Sequence, residues 1–322
     1  MSQDIFVVAE HIKGKLAEVT FELLGKGKEL ANAKGGNLVA VLLGNGVKNL
    51  ASEMGIANQV IVVEHANLEN FNPETYGTAL AEVVKAKSPA VTLVANSSMG
   101  MDLAAALSVK ANLPLVAYAI DVKMESSSLV AISQLYGGKL NIESQFSGAG
   151  GIISLLAGSS SADKGRVAGS PAIEAFAAPT GLASPKVRFK KLIEPEGGDG
   201  DITTQDILVS VGRGIQNVDN IPQMQELAEA LGAALSCSRP IVDGKWLPKT
   251  RQVGKSGVKV KPKFYLAIGI SGAPEHIEGM KDAELIVAIN SDPNAPIFDY
   301  AHYGIVGDLF DIVPALTAKA KG

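Results

Sequence analysis

The chain has 322 residues, of which 47% are apolar, 34 are glycine and one is cysteine. This length and composition are typical of a globular protein of about two domains, and they exclude a disordered, fibrous or disulfide-stapled chain. A formal net charge of -4 argues against nucleic acid and anionic membrane surfaces as partners, and no apolar run reaches the roughly 18 residues of a membrane span.

The first half of the chain alternates short apolar runs with segments of helical period. Near-continuous apolar strands in such an order indicate a mostly parallel sheet covered on both faces. Two alternating runs within 129–146 meet at Gly137-Gly138 and predict an antiparallel hairpin. The pattern predicts strands at 5–9, 37–43, 59–63, 90–95, 113–120 and 152–158, and helices at 17–33, 47–54, 73–87 and 99–111.

The periodicity fails between about 159 and 205, where small polar residues, glycines and clustered charges collect. We therefore expect an N-terminal domain over 1–195, a Gly-rich linker over 195–205 and a C-terminal domain over 196–322. The fold class predicted is two open Rossmann-like or flavodoxin-like α/β domains with mostly parallel sheets. In the second domain the pattern predicts strands at 206–212, 264–270 and 285–290, helices at 219–232, from about 273 and at 305–319, and a loop-rich stretch at 236–262.

The lone cysteine and the first residues bear on the compartment. Cys237 has no partner for a disulfide and cannot alone build an iron–sulfur or zinc site. The opening MSQDIFVVAE has neither the apolar core of a secretory signal nor the Arg- and Ser-rich character of a transit peptide. The sequence therefore predicts a cytoplasmic protein of a prokaryote.

Glycine and polar residues of the second domain collect where strands end, which is where open α/β sheets bind ligands. GKSG fails as a P-loop because Lys249 stands where the first glycine is needed, and VGRGIQN has Asn217 in place of the third glycine of a dinucleotide fingerprint. Gly272 and Pro274 suit a strand-to-helix turn that presents free amides to an anion. The clusters are VGRG (211–214), SCSRP (236–240), QVGKSG (252–257), GISGAPEH (269–276) and INSDPNAPI (289–297).

The stretch 245–263 carries seven Lys or Arg residues and no acidic residue. Two interpretations remain open from the residues alone. One is a solvated basic loop, and the other is a local positive rim around an anionic cofactor, which a protein of negative net charge would need.

Three longer stretches occur in an order and at a spacing that are typical of a known family: SCSRPIVDGKWLPKTRQVGKSG, FYLAIGISGAPEHIEGMKDAELIVAINSDPNAPIF and YGIVGDLFDIVPAL. Together they resemble the α subunit of electron transfer flavoprotein over roughly 206–316. The resemblance implies an electron carrier with no substrate chemistry of its own. It implies FAD in the C-terminal domain, a heterodimer with a β subunit that carries AMP or a second FAD, and an interface on the N-terminal domain.

The same resemblance implies partners and redox roles. The donors would be acyl-CoA dehydrogenases of fatty acid beta-oxidation or other flavoprotein dehydrogenases, or NADH with ferredoxin in a bifurcating variant, and the acceptor a membrane quinone oxidoreductase. Three residues would tune the flavin: Arg239 over the reactive edge of the ring, Ser256 near flavin N5 and His276 near flavin O2.

The remaining cofactor contacts also follow from the resemblance. Two positions depart from the usual pattern, with Ser256 where threonine is common and Pro274-Glu275 where isoleucine-glutamine is common, and an ionised Glu275 near the ring would lower the potential. Asn290, Asp308 and Leu309 match the adenosine end. The other residues that match contacts are Arg213, Ser238, Gln252, Val253, Gly254, Lys255, Gly269, Ser271, Gly272, Ala273, Pro274 and Glu275.

Two other classes of function remain open. A stand-alone flavin- or nicotinamide-dependent oxidoreductase would need a proton-transfer residue, for which only His276 and Glu275 are candidates. A nucleotide-binding regulatory module would hold AMP or ADP and no flavin. Cys237 is interpreted as a small buried spacer, and the four histidines have no metal-ligand spacing.

Overall fold

The computed structural model describes residues 2–126, 128–136, 139–148, 150–182, 185–192 and 201–322. The chain divides into two compact units, Met1–Lys191 and Leu192–Gly322. The boundary predicted between 195 and 196 lies outside the described residues, as do most of the predicted linker and the turn at Gly137-Gly138.

The first unit alternates strands and helices nearly as the sequence predicts. Its elements are β1 (Ile5–Ala9), β2 (His11–Ile12), β3 (Lys15–Leu16), α1 (Glu18–Lys34), β4 (Leu38–Gly44), β5 (Gln59–Glu64), α2 (Pro73–Lys87), β6 (Val91–Ala95), α3 (Ser98–Ala111), β7 (Leu115–Glu125), β8 (Ser128–Leu135), β9 (Leu140–Gln145), β10 (Ile152–Leu155) and β11 (Ala172–Ala175).

Nine of these strands form one sheet in the order β11-β5-β4-β1-β6-β10-β7-β8-β9. The strands from β11 to β7 pair in parallel, and β8 and β9 add the antiparallel hairpin that the sequence predicts. Strands β2 and β3 form a separate small antiparallel pair.

The central strand β1 is apolar on both faces because helices cover both. Ile5 and Val7 pack into the cluster that includes Leu24 of α1, whereas Phe6 and Val8 pack into the cluster that includes Leu80 of α2. Strands with two buried faces are what a parallel sheet between helix layers requires. The predicted fold class is therefore confirmed for this unit.

The second unit is a five-stranded parallel sheet in the order β13-β12-β14-β15-β16. This is the flavodoxin-like order, in which the chain changes direction between β12 and β14 and leaves a crevice at their carboxyl ends. Its elements are β12 (Ile207–Val211), α4 (Ile221–Ala230), β13 (Ala234–Cys237), α5 (Arg239–Asp243), β14 (Phe264–Ile268), α6 (Pro274–Met280), β15 (Leu285–Asn290), β16 (Tyr303–Val306) and α7 (Leu309–Ala320).

Several short elements differ from the prediction. The segment predicted as helix 305–319 begins as β16, and the helix starts only at Leu309, because Asp308 caps it by accepting from the Phe310 amide at 2.9 Å. The predicted loop stretch at 236–262 contains the end of β13 and the whole of α5, and the aperiodic stretch after 159 contains β11. The predicted helix at 47–54 is a 3-10 helix over Lys48–Glu53.

No helix in the part of the chain that the structure describes is long and apolar enough to cross a membrane.

Candidate functional site

The loops after β12 and β14 are joined at the crevice of the second sheet. The Gly212 amide donates to the Ile268 carbonyl at 2.9 Å, and the Gly214 amide donates to the Gly269 carbonyl at 3.0 Å. Gly269 has φ +62, and a Cβ there would lie 2.8 Å from the Gly214 Cα. Glycine is therefore required for the two backbones to approach each other.

The loop after β14 is also fixed to the loop after β15. The Asn290 side-chain amide donates to the Ile270 carbonyl at 2.9 Å, and the Ile297 amide donates to the Ser271 carbonyl at 3.0 Å. The Asn290 carbonyl accepts from the Gly307 amide at 3.1 Å, next to Asp308. The residues predicted at the adenosine end therefore lie at the same carboxyl edge of the sheet.

The segment 252–257 connects two further clusters. The Val253 amide donates to the Cys237 carbonyl at 2.9 Å, beside Ser238, and the Lys255 amide donates to the Glu275 carbonyl at 2.7 Å. Gly254 has φ +132, and a Cβ there would lie 2.7 Å from the Glu275 carbonyl oxygen. The structure thus brings all five polar clusters of the sequence to one edge.

Two of the predicted tuning residues have clear local partners. The buried Gln252 side chain donates to the Ser256 hydroxyl oxygen at 2.8 Å. Arg239 begins α5 and forms an exposed ion pair with Asp243, with 3.2 Å between Nε and Oδ2. The guanidinium remains open to solvent, because 68% of the Arg239 side chain is exposed.

His276, on α6, is buried beneath this edge. Its Nε2 lies 3.0 Å from the hydroxyl of Tyr265 on β14, and its Nδ1 has no hydrogen-bond partner among the described residues. Burial lowers the pKa of His276 to about 4, although the nearby backbone of Val253 acts in the opposite direction. The imidazole is therefore neutral at physiological pH.

Cys237 lies at the end of β13 and is fully buried. Burial raises the pKa of its thiol to about 12, with Arg251 acting in the opposite direction. The thiol therefore stays protonated and unreactive at neutral pH.

Part of the basic stretch has structural partners. Arg251 donates to the Leu235 carbonyl at 2.8 Å, and Lys263 pairs with Asp206 at 2.9 Å. The Lys255 Nζ lies 3.9 Å from the Oε2 of Glu278, which is on α6. These partners attach parts of the stretch to the sheet and to α6, and they do not decide between a solvated basic loop and a positive rim around an anionic cofactor.

Tyr265 is the residue of this site that the sequence analysis missed. It belongs to the run FYLAIGI, where an aromatic residue in a buried strand is ordinarily core. The available signal was its hydroxyl, since a buried tyrosine needs a hydrogen-bond partner. Among the described residues no group of His, Cys, Asp or Glu is placed to hold a metal ion.

A cavity of about 560 Å³ lies elsewhere, in the first unit. Its lining includes Gln3, Ala90, Leu113 and Gly150, which precede strands, so it opens at the amino ends of the sheet. None of the five polar clusters contributes to it.

Polar loops that converge at the switch point of a parallel sheet are typical of doubly wound α/β domains, which bind ligands at this edge. The family described as "Electron transfer flavoprotein domain" matches residues 5–180, and the one described as "Electron transfer flavoprotein FAD-binding domain" matches residues 201–281. The chain belongs to the electron transfer flavoprotein α-subunit family.

Individual relatives agree over nearly the whole length. The chain is 35% identical to electron transfer flavoprotein subunit alpha of Methylophilus methylotrophus, with 98% of each chain covered. It is 34% identical to the protein of the same name from Thermoanaerobacterium thermosaccharolyticum, covering 99% of this chain and 98% of that one. It is 32% identical to subunit LctC of the lactate dehydrogenase (NAD(+),ferredoxin) of Acetobacterium woodii, covering 99% of this chain and 77% of that one.

Proposed function

We propose that this chain is the FAD-binding α subunit of a heterodimeric electron transfer flavoprotein. It would pass electrons from flavoprotein dehydrogenases to an acceptor such as a membrane quinone oxidoreductase. The observation that carries the proposal is the convergence of five polar loops at the crevice between β12 and β14. Family membership supports an electron-transfer role, and the description of the matching domain supports the choice of FAD.

The residues at the crevice fit such a cofactor. The amides of Ser271, Gly272 and Ala273 donate to no other described residue, and the Gly272 amide is in a buried residue. Backbone N–H groups without an acceptor in the protein suit the ribityl and pyrophosphate groups of FAD, which are rich in acceptor oxygens. The unpartnered Nδ1 of His276 suits a polar atom of the ring system.

Bound FAD supplies the redox chemistry, since its ring system takes up and releases electrons. The chain holds and tunes it. Arg239 would supply a positive charge beside the ring, Ser256 would offer a hydroxyl oriented by Gln252, and His276 would offer a neutral ring nitrogen. The other contacts proposed in this unit are Arg213, Ser238, Val253, Gly254, Lys255, Gly269, Pro274, Glu275, Asn290, Asp308 and Leu309.

The chain would work with a β subunit that carries AMP or a second FAD and covers the cofactor. Acyl-CoA dehydrogenases of fatty acid beta-oxidation are one class of donor. The relative named lactate dehydrogenase (NAD(+),ferredoxin) supports a second possibility, in which NADH and ferredoxin take part. We place this chemistry in the cytoplasm of a prokaryote, with an FAD-binding domain over 196–322 and a β-subunit interface on 1–195.

The test is to co-express the chain with its β subunit and to measure FAD and AMP per heterodimer by visible absorbance and chromatography of the denatured complex. We expect one FAD from this chain, reducible by a flavoprotein dehydrogenase and reoxidised by a quinone oxidoreductase. A second FAD per heterodimer would assign that flavin to the β subunit. Purification with AMP or ADP and no flavin would contradict the proposal and favour a regulatory module, and turnover of a small substrate without partners would favour a stand-alone oxidoreductase.

A further inference from the structure

Tyr265 and His276 form a buried polar pair inside the second unit. Tyr265 is 0% exposed and His276 is 6% exposed, and their rings lie 6.2 Å apart at an interplanar angle of 55°. The Tyr265 hydroxyl and the His276 Nε2 are 3.0 Å apart. Two polar groups that are removed from water in this way must share their protons with each other or with close neighbours.

The hydroxyl of Tyr265 keeps its proton, because burial raises the pKa of Tyr265. That proton needs an acceptor, and the His276 Nε2 lies 3.0 Å from the hydroxyl oxygen, while hydrogen bonding with the Ser210 and Ser236 side chains acts on the pKa of Tyr265 against the effect of burial. Ser210 and Ser236 are the neighbouring hydroxyls. The Ser236 hydroxyl donates to the Val209 carbonyl at 3.5 Å, and the buried Ser210 hydroxyl has no direct hydrogen bond to a described residue, so the imidazole nitrogen is the direct partner of the Tyr265 hydroxyl.

The imidazole holds one proton, because it is neutral. If Nε2 accepts from Tyr265, this proton sits on Nδ1. The Nδ1 atom is buried and has no partner among the described residues. The Val253 backbone acts on the imidazole, but it forms no hydrogen bond with Nδ1. A buried donor without an acceptor is rare in folded proteins, so an acceptor from outside the chain is expected.

We propose that Tyr265 is a positioning residue that holds His276 in the Nδ1–H tautomer, so that the ring presents a neutral hydrogen-bond donor to an acceptor atom of the bound cofactor. The inference rests on the proposed FAD function for the identity of the acceptor. The tautomer itself is a property of the chain and is measurable without the cofactor.

The test uses the full chain labelled with ¹⁵N-histidine, alone and in complex with its β subunit. Long-range ¹H–¹⁵N spectra distinguish a protonated from an unprotonated ring nitrogen, and comparison with His276→Gln assigns one of the four histidine signal sets. We expect a protonated Nδ1 and an unprotonated Nε2 in the cofactor-free chain. A protonated Nε2 in the unchanged protein would overturn the inference whether or not any variant folds.

Tyr265→Phe removes only the hydroxyl, and Tyr300→Phe removes the hydroxyl of a half-exposed tyrosine in the same unit as the matched control. We expect Tyr265→Phe to move His276 toward the Nε2–H tautomer and to weaken FAD binding roughly tenfold, which is the size of one hydrogen bond. Tyr300→Phe should do neither. An unchanged tautomer in Tyr265→Phe would assign control of the ring to the Val253 backbone instead.

The two proposals fail separately. If the unchanged protein binds no FAD, the proposed function is wrong, and the tautomer measurement still decides the role of Tyr265. If it binds FAD and Tyr265→Phe alters neither the tautomer nor the affinity, only the positioning role is wrong.

Discussion

Gln252 donates its side-chain amide to the hydroxyl oxygen of Ser256 at 2.8 Å, and 3% of Gln252 is exposed. Since the amide N–H occupies a lone pair of the hydroxyl oxygen, the hydroxyl proton is free to point elsewhere. An otherwise mobile serine thereby becomes an oriented donor. This compensates for the methyl group that a threonine would use to restrict the same side chain.

We expect Gln252→Leu to lower FAD affinity by about as much as Ser256→Ala, because each change removes the same oriented hydrogen bond, worth about 1 kcal/mol. Affinity is measured by flavin fluorescence on reconstitution of the complex. The double variant is the control, and it should be little worse than either single variant. Additive losses would mean that Gln252 acts independently of Ser256.

Substitutions of Arg239 and Asp243 distinguish an effect on the flavin potential from an effect on the stability of the fold. Their exposed ion pair contributes less than about 1 kcal/mol, so Arg239→Ala and Asp243→Asn should change the free energy of unfolding little and equally. Only Arg239→Ala should lower the flavin midpoint potential, by on the order of 60 mV, because it alone removes the positive charge. Spectroelectrochemistry measures the potential. Equal potentials in both variants would remove Arg239 from the redox role.

Gly269 tests the contact between the loops after β12 and β14. Gly269→Ala should destabilise the second unit by about 1–3 kcal/mol more than Gly232→Ala, as measured by urea unfolding. Both glycines have positive φ, +62 and +63, so both variants carry the same backbone strain, but a Cβ at Gly232 meets nothing within 4 Å. Equal losses would show that the close approach to Gly214 relaxes without cost.

His276 predicts a specific dependence of stability on pH. Its pKa falls from 6.5 in the unfolded chain to about 4 in the folded one, so the unfolded state binds a proton first as the pH drops. The contribution of the neutral His276 to the free energy of unfolding is complete above pH 6.5. It is lost as the pH falls from about 6.5 to 4, and the total loss is roughly 3 kcal/mol. The cofactor-free His276→Gln variant should lack this component, whereas His65→Gln, in the first unit, should retain it. Parallel curves for the unchanged protein and His276→Gln would contradict the buried neutral imidazole.

Most long elements were predictable because their burial is periodic. The helix over Pro73–Lys87 has a proline at its first position and Asn72 as its cap, and the sequence predicts a helix around 73–87. Strands such as Ala172–Ala175 and Tyr303–Val306 were missed because four residues, largely exposed, carry no period long enough to recognise. They are specified by the partner strands, which the local sequence does not reveal.

The candidate site was predictable as a set of loops and not as a set of contacts. Three of the five polar clusters were recognised because each follows a predicted strand, and the other two because glycine and polar residues collect in the loop-rich stretch 236–262. That Gln252 orients Ser256, or that Tyr265 reaches His276, depends on side-chain distances across different elements. Such pairings have no fixed spacing in sequence.

The strand β11 covers the outer edge of β5, with Ala172 opposite Gln59. The Glu174 carboxylate accepts a hydrogen bond from the Gln59 side-chain amide at 2.7 Å and forms an ion pair with Lys87, also at 2.7 Å. During synthesis on the ribosome, β5 emerges long before its cover. At about 5–20 residues per second, the open edge persists for on the order of ten seconds. An unpaired strand edge is a template for association with other chains. The nascent first unit is therefore most vulnerable to aggregation in that interval.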